Sequence, residues 1–293
     1  MEEKRCERSA ESERENLVKA YSETRGLSEK ICETLEPEDC VVQTMPEASP
    51  TKWHLAHTSW FFETFVLRTA FQDYQTVSPS YSFLFNSYYN AVGKMHARPK
   101  RGLISRPTLS ETKLYRRRVD EAMDSLFQNA PLTAKFGKVI ELGINHEQQH
   151  QELMVTDIKN VFFENPLRPV FRNGVAPSSS GECWYGCIRF PVGAYQVGFS
   201  GEAFRFDNEE PSHRVFTEAF ELASRLVTNW EYQTFIDDGG YDARNFGFRL
   251  GGLWSRNRAC KGLSTGNTAI TDPCHSFLFL ALERLSLTSQ LFI

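Results

Sequence analysis

Apolar residues recur at three- and four-residue steps in four stretches of the first half of the chain, and each stretch predicts an amphipathic helix. The first follows a charge-dense arm reaching about Asn16, after which Leu17, Tyr21, Thr24, Leu27, Ile31 and Leu35 fall on one face. Glu36-Pro37-Glu38-Asp39 ends it, because proline disfavours helix in the residue before it. Pro46 to Pro50 make a loop, and Ser49 or Thr51 is placed to cap a second helix running to about Thr69. Trp53, His57, Trp60, Phe61, Thr64 and Phe65 share its face. Ser110 with Glu111 opens a third helix through Tyr115, Val119, Met123 and Leu126, closed by Asn129-Ala130-Pro131. The fourth spans about Thr133 to Phe163, with Leu142, His146, Leu153, Asp157 and Val161 on its inward face. Together they predict a four-helix bundle over residues 10–164.

The texture then changes. Asn165-Pro166, Arg168-Pro169 and Pro177-Ser178-Ser179-Ser180-Gly181 mark residues 165–182 as a linker. Short strand-like pieces follow at 189–193, 195–198 and 214–216, and Thr228 or Asn229 caps a short helix, 230–236, stopped by Gly239-Gly240. Residues 183–245 therefore read as a mixed, loop-rich second domain, and the fold class as α+β. Beyond about Phe246 the signals fade, and no internal repeat is present.

Composition narrows the function classes. A chain of 293 residues, 41% hydrophobic and 24% charged, can bury a substantial core and form two domains. Its net charge of -4 gives no general drive toward nucleic acid or an anionic membrane, and no apolar run reaches eighteen residues. The expected protein is soluble and cytoplasmic, with neither nucleic acid nor membrane as partner. Seven cysteines, an odd number in a chain too large to need staples, fit a reducing compartment. Cys183 and Cys187 read as ordinary thiols before they read as ligands.

His146 and His150, four apart, stack one turn above the other. Two neutral imidazoles can grip one cation from one side of a helix, which leaves at least one ligand to be found elsewhere. Satisfied core histidines are the alternative, although His146-Glu147-Gln148-Gln149-His150 is too polar a turn for simple core. His57, inside the aromatic stripe of the second helix, is the better candidate for third ligand. The same five residues match the zinc hydrolase pattern in which the glutamate is the general base. That reading wants a third ligand shortly downstream, and only His213 and His275 follow, both outside the bundle. A non-catalytic metal-binding fragment is a third reading. Residues 71–108 show no sustained period, and a connection that long in a compact domain is usually functional. Its end, from Lys94 to Pro107, is basic. A solvated loop, a nucleic-acid patch and a site for a carboxylated small molecule compete there; the arginine fork suits the last.

Four motifs in order carry a resemblance: Trp53-His54-Leu55-Ala56-His57, His146-x-x-x-His150-x-Glu152, Phe206-Asp207-Asn208-Glu209-x-Pro211-x-His213, and Val227-Thr228-Asn229-x-Glu231-Tyr232-x-x-Phe235. Over roughly residues 51–241 the chain resembles the iron-dependent sulfoxide synthases of ergothioneine biosynthesis. The resemblance implies a DinB-like four-helix bundle joined to a formylglycine-generating-enzyme-like (sulfatase-modifying-factor) domain. It implies ferrous iron, Fe(2+), held by His57, His146 and His150. It further implies that Arg98 and Arg101, following His96, bind the carboxylates of a thiol substrate, and that Gln149 faces the second substrate. It carries no role for His54. The implied reaction uses dioxygen to join the sulfur of gamma-glutamylcysteine or cysteine to the imidazole ring of hercynine (N-alpha-trimethylhistidine), giving a sulfoxide. Three neutral histidines leave up to three coordination positions for such substrates. Past Arg244 the residues no longer match. Residues 183–245 thus read as the start of the second domain and 246–293 as a divergent tail, and this chain is expected to bind metal with little turnover of its own.

Overall fold

The computed structural model of the chain describes residues 2–87, 89, 91–129, 134–173 and 186–239. The chain divides after Arg172 into two units. In the first, four long helices form: α1, Glu2–Ile31; α2, Thr51–Phe62; α3, Leu109–Asn129; and α4, Ala134–Glu164. α2 continues through a π turn, Glu63–Leu67, and a last α turn, Arg68–Ala70.

α1 begins at Glu2, so the stretch expected as an arm up to Asn16 is helical. Its Glu, Lys, Arg and Ala residues are strong helix formers, and i,i+4 pairs such as Lys19–Glu23 (3.9 Å) add a little. α2 is buried along all twelve residues, so neighbours surround it instead of covering one apolar stripe. Its N-cap is Pro50 (φ −60°) with no side-chain cap, against the expectation of Ser49 or Thr51. Ser49 is committed elsewhere: its N–H donates to Asp157 Oδ2 (2.9 Å), and its hydroxyl accepts from Arg101 Nη1 (2.9 Å). α3 is capped by Thr108, two residues ahead of Ser110. The Thr108 hydroxyl accepts from Glu111 N–H (3.2 Å) while the Glu111 carboxylate accepts from Thr108 N–H (2.7 Å).

The buried line of α4 runs through Ile140, Ile144, Glu147, Met154 and Ile158. Leu142, Leu153, Asp157 and Val161, expected to face inward, are half-buried, and His146 and His150 lie at the edge of the buried face. The face is turned by about one residue, roughly 100°, from the apolar pattern. Glu147 accounts for the difference. Its carboxylate accepts from Arg116 Nη2 (2.6 Å), Ser28 Oγ (2.6 Å) and Arg25 Nη1 (3.0 Å), none of them exposed. Arg25 also donates to Asp120 (2.6 Å) and Ser59 (3.0 Å), and Arg116 to the Arg25 carbonyl (2.8 Å) and Thr58 (3.3 Å). One carboxylate therefore joins α4 to α1 and α3, its two arginines carry the network on to α2, and a pattern of apolar positions does not register it.

In the second unit, β1 (Cys187–Phe190) pairs antiparallel with β4 (Phe220–Ala223), and β2 (Gly193–Val197) with β3 (His213–Thr217). The register is the same in both ladders: Phe190 faces Phe220 and Gly193 faces Thr217. They form one ribbon interrupted at Pro191, which has no N–H to give to a ladder. The Phe190 and Phe220 rings, the last pair of the β1–β4 ladder, stack at 4.8 Å beside the break. β4 was not among the expected strands; it is only four residues long and exposed throughout, so no buried face marks it. α5, Asn229–Asp237, starts as expected, with the Thr228 hydroxyl accepting from Glu231 N–H (3.3 Å). The rest of the linker, Cys183, and the tail over 246–293 lie outside the described residues. No helix among those described is long and apolar enough to cross a membrane.

Replacing Glu147 by Leu leaves two buried guanidiniums without their shared counter-charge, and breaking a buried pair from one side costs roughly 3–5 kcal/mol. The helical signal of Glu147→Leu is expected to melt at clearly lower urea than wild type in far-UV circular dichroism. An unchanged midpoint would show that this network does not hold the bundle.

Candidate metal centre

His57 projects from α2, His146 and His150 from α4, and the two helices meet closely just before the first of that pair. At Gly143 a β-carbon would lie 2.5 Å from Phe62 Cε1 and 2.8 Å from Phe61 Cε1, so only glycine admits those rings. One turn later the imidazoles converge. His57 Nε2 is 3.2 Å from His146 Nε2, which is 3.1 Å from His150 Nε2, and one ligand atom from each of the three lies within 4.8 Å of the others. All three side chains are buried. Ligands at right angles around an ion with bonds of about 2.1 Å are about 3.0 Å apart. The observed spacings fit such a set, and lone pairs facing one another this closely repel unless a cation lies between them.

The outer nitrogens show which atoms are available. His57 Nδ1–H donates to the Phe85 carbonyl (2.6 Å), which leaves Nε2 as the lone-pair atom. His150 Nδ1 meets His54 Nδ1 at 2.7 Å, and His54 Nε2 meets Asp157 Oδ2 at 3.1 Å. His146 Nδ1 is buried without a hydrogen-bond partner among the described residues. Trp53 stacks on the His57 ring (4.5 Å, 13°) and Trp60 flanks it at 5.7 Å, closing the aromatic side.

Burial lowers the pKa of all three imidazoles from the ordinary 6.5. His146 falls to about 4, the neighbouring Glu147 carboxylate opposing the drop. His57 and His150 lie well below 6.5, each depressed first by desolvation, then by His146 and more weakly by the positive charge of Arg101. Neutral imidazoles are the form that binds metal. Glu147, the general base of the zinc hydrolase reading, is otherwise engaged. Desolvation would raise its carboxyl, but Arg116, Arg25 and Ser28 together hold it at about 2. Its oxygens are taken up by those groups, so it is not a base for a substrate at the histidines.

The other expected site residues lie as follows. Arg101 is buried, with its guanidinium 3.3 Å over the Trp53 ring and its terminal nitrogens donating to Ser49 (2.9 Å) and Ser87 (2.8 Å). Trp53 thus separates it from His57. Arg98 is half-buried and donates to the Glu47 carbonyl at 2.5 Å. Gln149 is half-buried on the turn between the two α4 histidines, and Glu152 is exposed. Sequence reasoning gave no role in the site to His54 or Asp157; the structure puts His54 against His150 and Asp157 against His54. The signal was there, since His54 lies three residues before His57 and Asp157 seven after His150.

A DinB superfamily profile matches residues 20–154, and a sulfatase-modifying factor enzyme 1-like domain matches residues 176–274, thirty residues past Arg244. The chain is 31% identical over 215 residues to the hercynine oxygenase of Mycolicibacterium smegmatis, covering 68% of this chain and 45% of that protein. It is 28% identical over 233 residues to the hercynine oxygenase of Mycobacterium tuberculosis, covering 78% and 52% respectively. Ergothioneine biosynthesis protein 1 of Neurospora crassa is 23% identical over 184 residues, or 58% of this chain and 20% of that protein. The chain thus spans about half the length of the hercynine oxygenases it matches.

Because the folded-state imidazoles bind protons below the unfolded value of 6.5, the unfolded chain holds more protons between 6.5 and about 4. Stability of the metal-free protein therefore falls as pH drops through that window. Glu147 adds a second loss only between 4.5 and about 2. The urea midpoint of metal-free protein is expected to decline between pH 7 and pH 5, ahead of carboxylate titration, and a flat midpoint there would contradict neutral buried imidazoles.

Proposed function

We propose, with the kinship to ergothioneine-pathway enzymes as premise, that this chain carries the iron site of a dioxygen-dependent sulfoxide synthase. Its substrates would be hercynine and gamma-glutamylcysteine or cysteine. The observation that carries the reading is the convergence of His57, His146 and His150, buried and neutral, with no carboxylate in the ligand set. Ferrous iron held by three imidazoles supplies redox chemistry with dioxygen and open positions for a thiolate. The overall change balances without an external reductant. A ring C–H and a thiol S–H are lost, a C–S and an S–O bond form, and dioxygen gives one oxygen to the sulfoxide and the other to water.

The chain's own residues orient the partners. Arg101, steadied by Trp53, Ser49 and Ser87, brings a fixed positive charge near the metal ligands and suits a carboxylate of the thiol substrate. Arg98, three residues before Arg101 on the same connection, is proposed to take a second carboxylate, and Gln149 to face hercynine. The aromatic wall of Trp53 and Trp60 keeps water from the His57 side.

Purified chain loaded with ferrous iron under anaerobic conditions, then given hercynine, thiol and dioxygen, is expected to form little sulfoxide by mass spectrometry, in keeping with the little turnover expected of this chain alone; robust sulfoxide formation would overturn that expectation. Oxygen uptake that ignores hercynine would overturn the substrate assignment. His57→Ala is expected to lose most of the iron, and full occupancy in that variant would remove His57 from the ligand set. Losing a charge-assisted hydrogen bond costs about 1.5–3 kcal/mol. Arg101→Ala is therefore expected to weaken thiol binding by roughly ten- to a hundredfold; an unchanged dissociation constant would count against the carboxylate role.

A further inference from the structure

His54 and Asp157 are polar groups in a place where apolar ones would cost less. His54 is 3% exposed on a helix buried all round, and Asp157 comes from the neighbouring helix to meet it at 3.1 Å. A histidine–carboxylate pair with the histidine buried and the carboxylate half-buried loses hydration that its own attraction only partly returns. The geometry of the next contact explains what the pair does. An ionised carboxylate only accepts, so the 3.1 Å contact requires the proton on His54 Nε2. With the second ring nitrogen of His54 unprotonated, Nδ1 carries a lone pair and can accept. The 2.7 Å contact between the two Nδ1 atoms requires one donor and one acceptor, so His150 must carry its proton on Nδ1. That leaves the lone pair of His150 on Nε2, the atom 3.1 Å from His146 Nε2.

We infer that Asp157 and His54 are positioning residues, which fix the tautomer and ring orientation of His150 through two hydrogen bonds and so present its Nε2 to the metal. The inference rests on the proposed three-histidine iron site and deepens it. His57 receives the same service from a backbone carbonyl, Phe85 O at 2.6 Å. α4 offers His150 no such carbonyl, because its backbone acceptors are spent within the helix. A side-chain acceptor must be brought in, and His54 spans the gap between Asp157 and His150. Asp157 Oδ2 is itself steadied by the N–H of Ser49 (2.9 Å), just ahead of α2. Outer groups of this kind commonly set metal affinity by about ten- to a hundredfold.

The most direct test needs no variant. Ring-nitrogen NMR of the metal-free, 15N-labelled chain is expected to show His150 protonated on Nδ1 with a lone pair on Nε2; protonation on Nε2 would overturn the inference. Anaerobic ferrous titration then compares His54→Leu, Asp157→Ala and His54→Gln with wild type. Glutamine can accept from His150 with Oε1 while its amide donates to Asp157. His54→Leu and Asp157→Ala are expected to bind iron about ten- to a hundredfold more weakly, and His54→Gln to recover most of the loss. A folded His54→Leu protein with wild-type affinity, or a His54→Gln protein as weak as His54→Leu, would overturn the positioning role. If His54→Leu fails to fold, Asp157→Ala and the NMR result decide. Failure of wild type to bind ferrous iron, with His150 still protonated on Nδ1, would instead overturn the iron reading and leave the tautomer assignment standing.

Discussion

A single carboxylate, that of Glu147, lies where the four long helices meet, and its three donors come from α1 and α3. A fully buried charge must be matched by partners, and here the partners set the rotation of α4. With Glu147 turned toward Arg25 and Arg116, the residue before it and the residue three after it must face α2. The two histidines are therefore aimed by a salt-bridge network on the adjoining face of their own helix, roughly 60–100° round its axis. The same constraint separates this His-Glu-x-x-His sequence from a hydrolase, because the glutamate that would activate water is spent on holding the bundle together.

The long connection after α2 is ordered by polar anchors, and those anchors also build the site. Lys52 donates to the carbonyls of Ile104 (2.7 Å) and Pro107 (2.8 Å), and Asn86 to those of Tyr89 (3.2 Å) and Gly93 (3.1 Å). Gln43 ties the segment before α2 to the Arg98 carbonyl (2.8 Å) and the Gly102 N–H (2.7 Å). Between these ties the chain supplies Phe85, whose carbonyl orients His57, and Ser87, whose hydroxyl holds Arg101. The candidate ligand His57 and the cationic Arg101 are thus placed by one segment. Under the proposed function this is preorganisation, since little further ordering would be needed when substrate arrives.

The helices and the convergence of His57 with His146 and His150 were legible because each depends on local periodicity or on chemistry visible in one residue type. His146 and His150 share a face by spacing, and His57 is conspicuous among tryptophans and phenylalanines. What was not legible depends on partners far along the chain. The rotation of α4 follows from arginines more than thirty and more than a hundred residues upstream of Glu147. His54 looked ordinary because its meaning comes from Asp157, 103 positions later. The extra helix before Asn16 was missed because a charged stretch without an apolar stripe looks like an arm, although its residues favour helix. Ser49 gave a good capping signal and does something else, since a longer-range acceptor, Asp157, engages its N–H.

The central claim is that three buried imidazoles from two helices form one ferrous site. X-ray absorption at the iron edge, on anaerobic protein loaded with one equivalent of ferrous iron, tests it most directly. The account expects one tightly held ion per chain with multiple-scattering features of three imidazoles and nitrogen bonds near 2.1 Å, close to those of other imidazole–metal sites. A loosely bound ion surrounded by oxygen alone, or a site with sulfur from a cysteine of the chain, would contradict it.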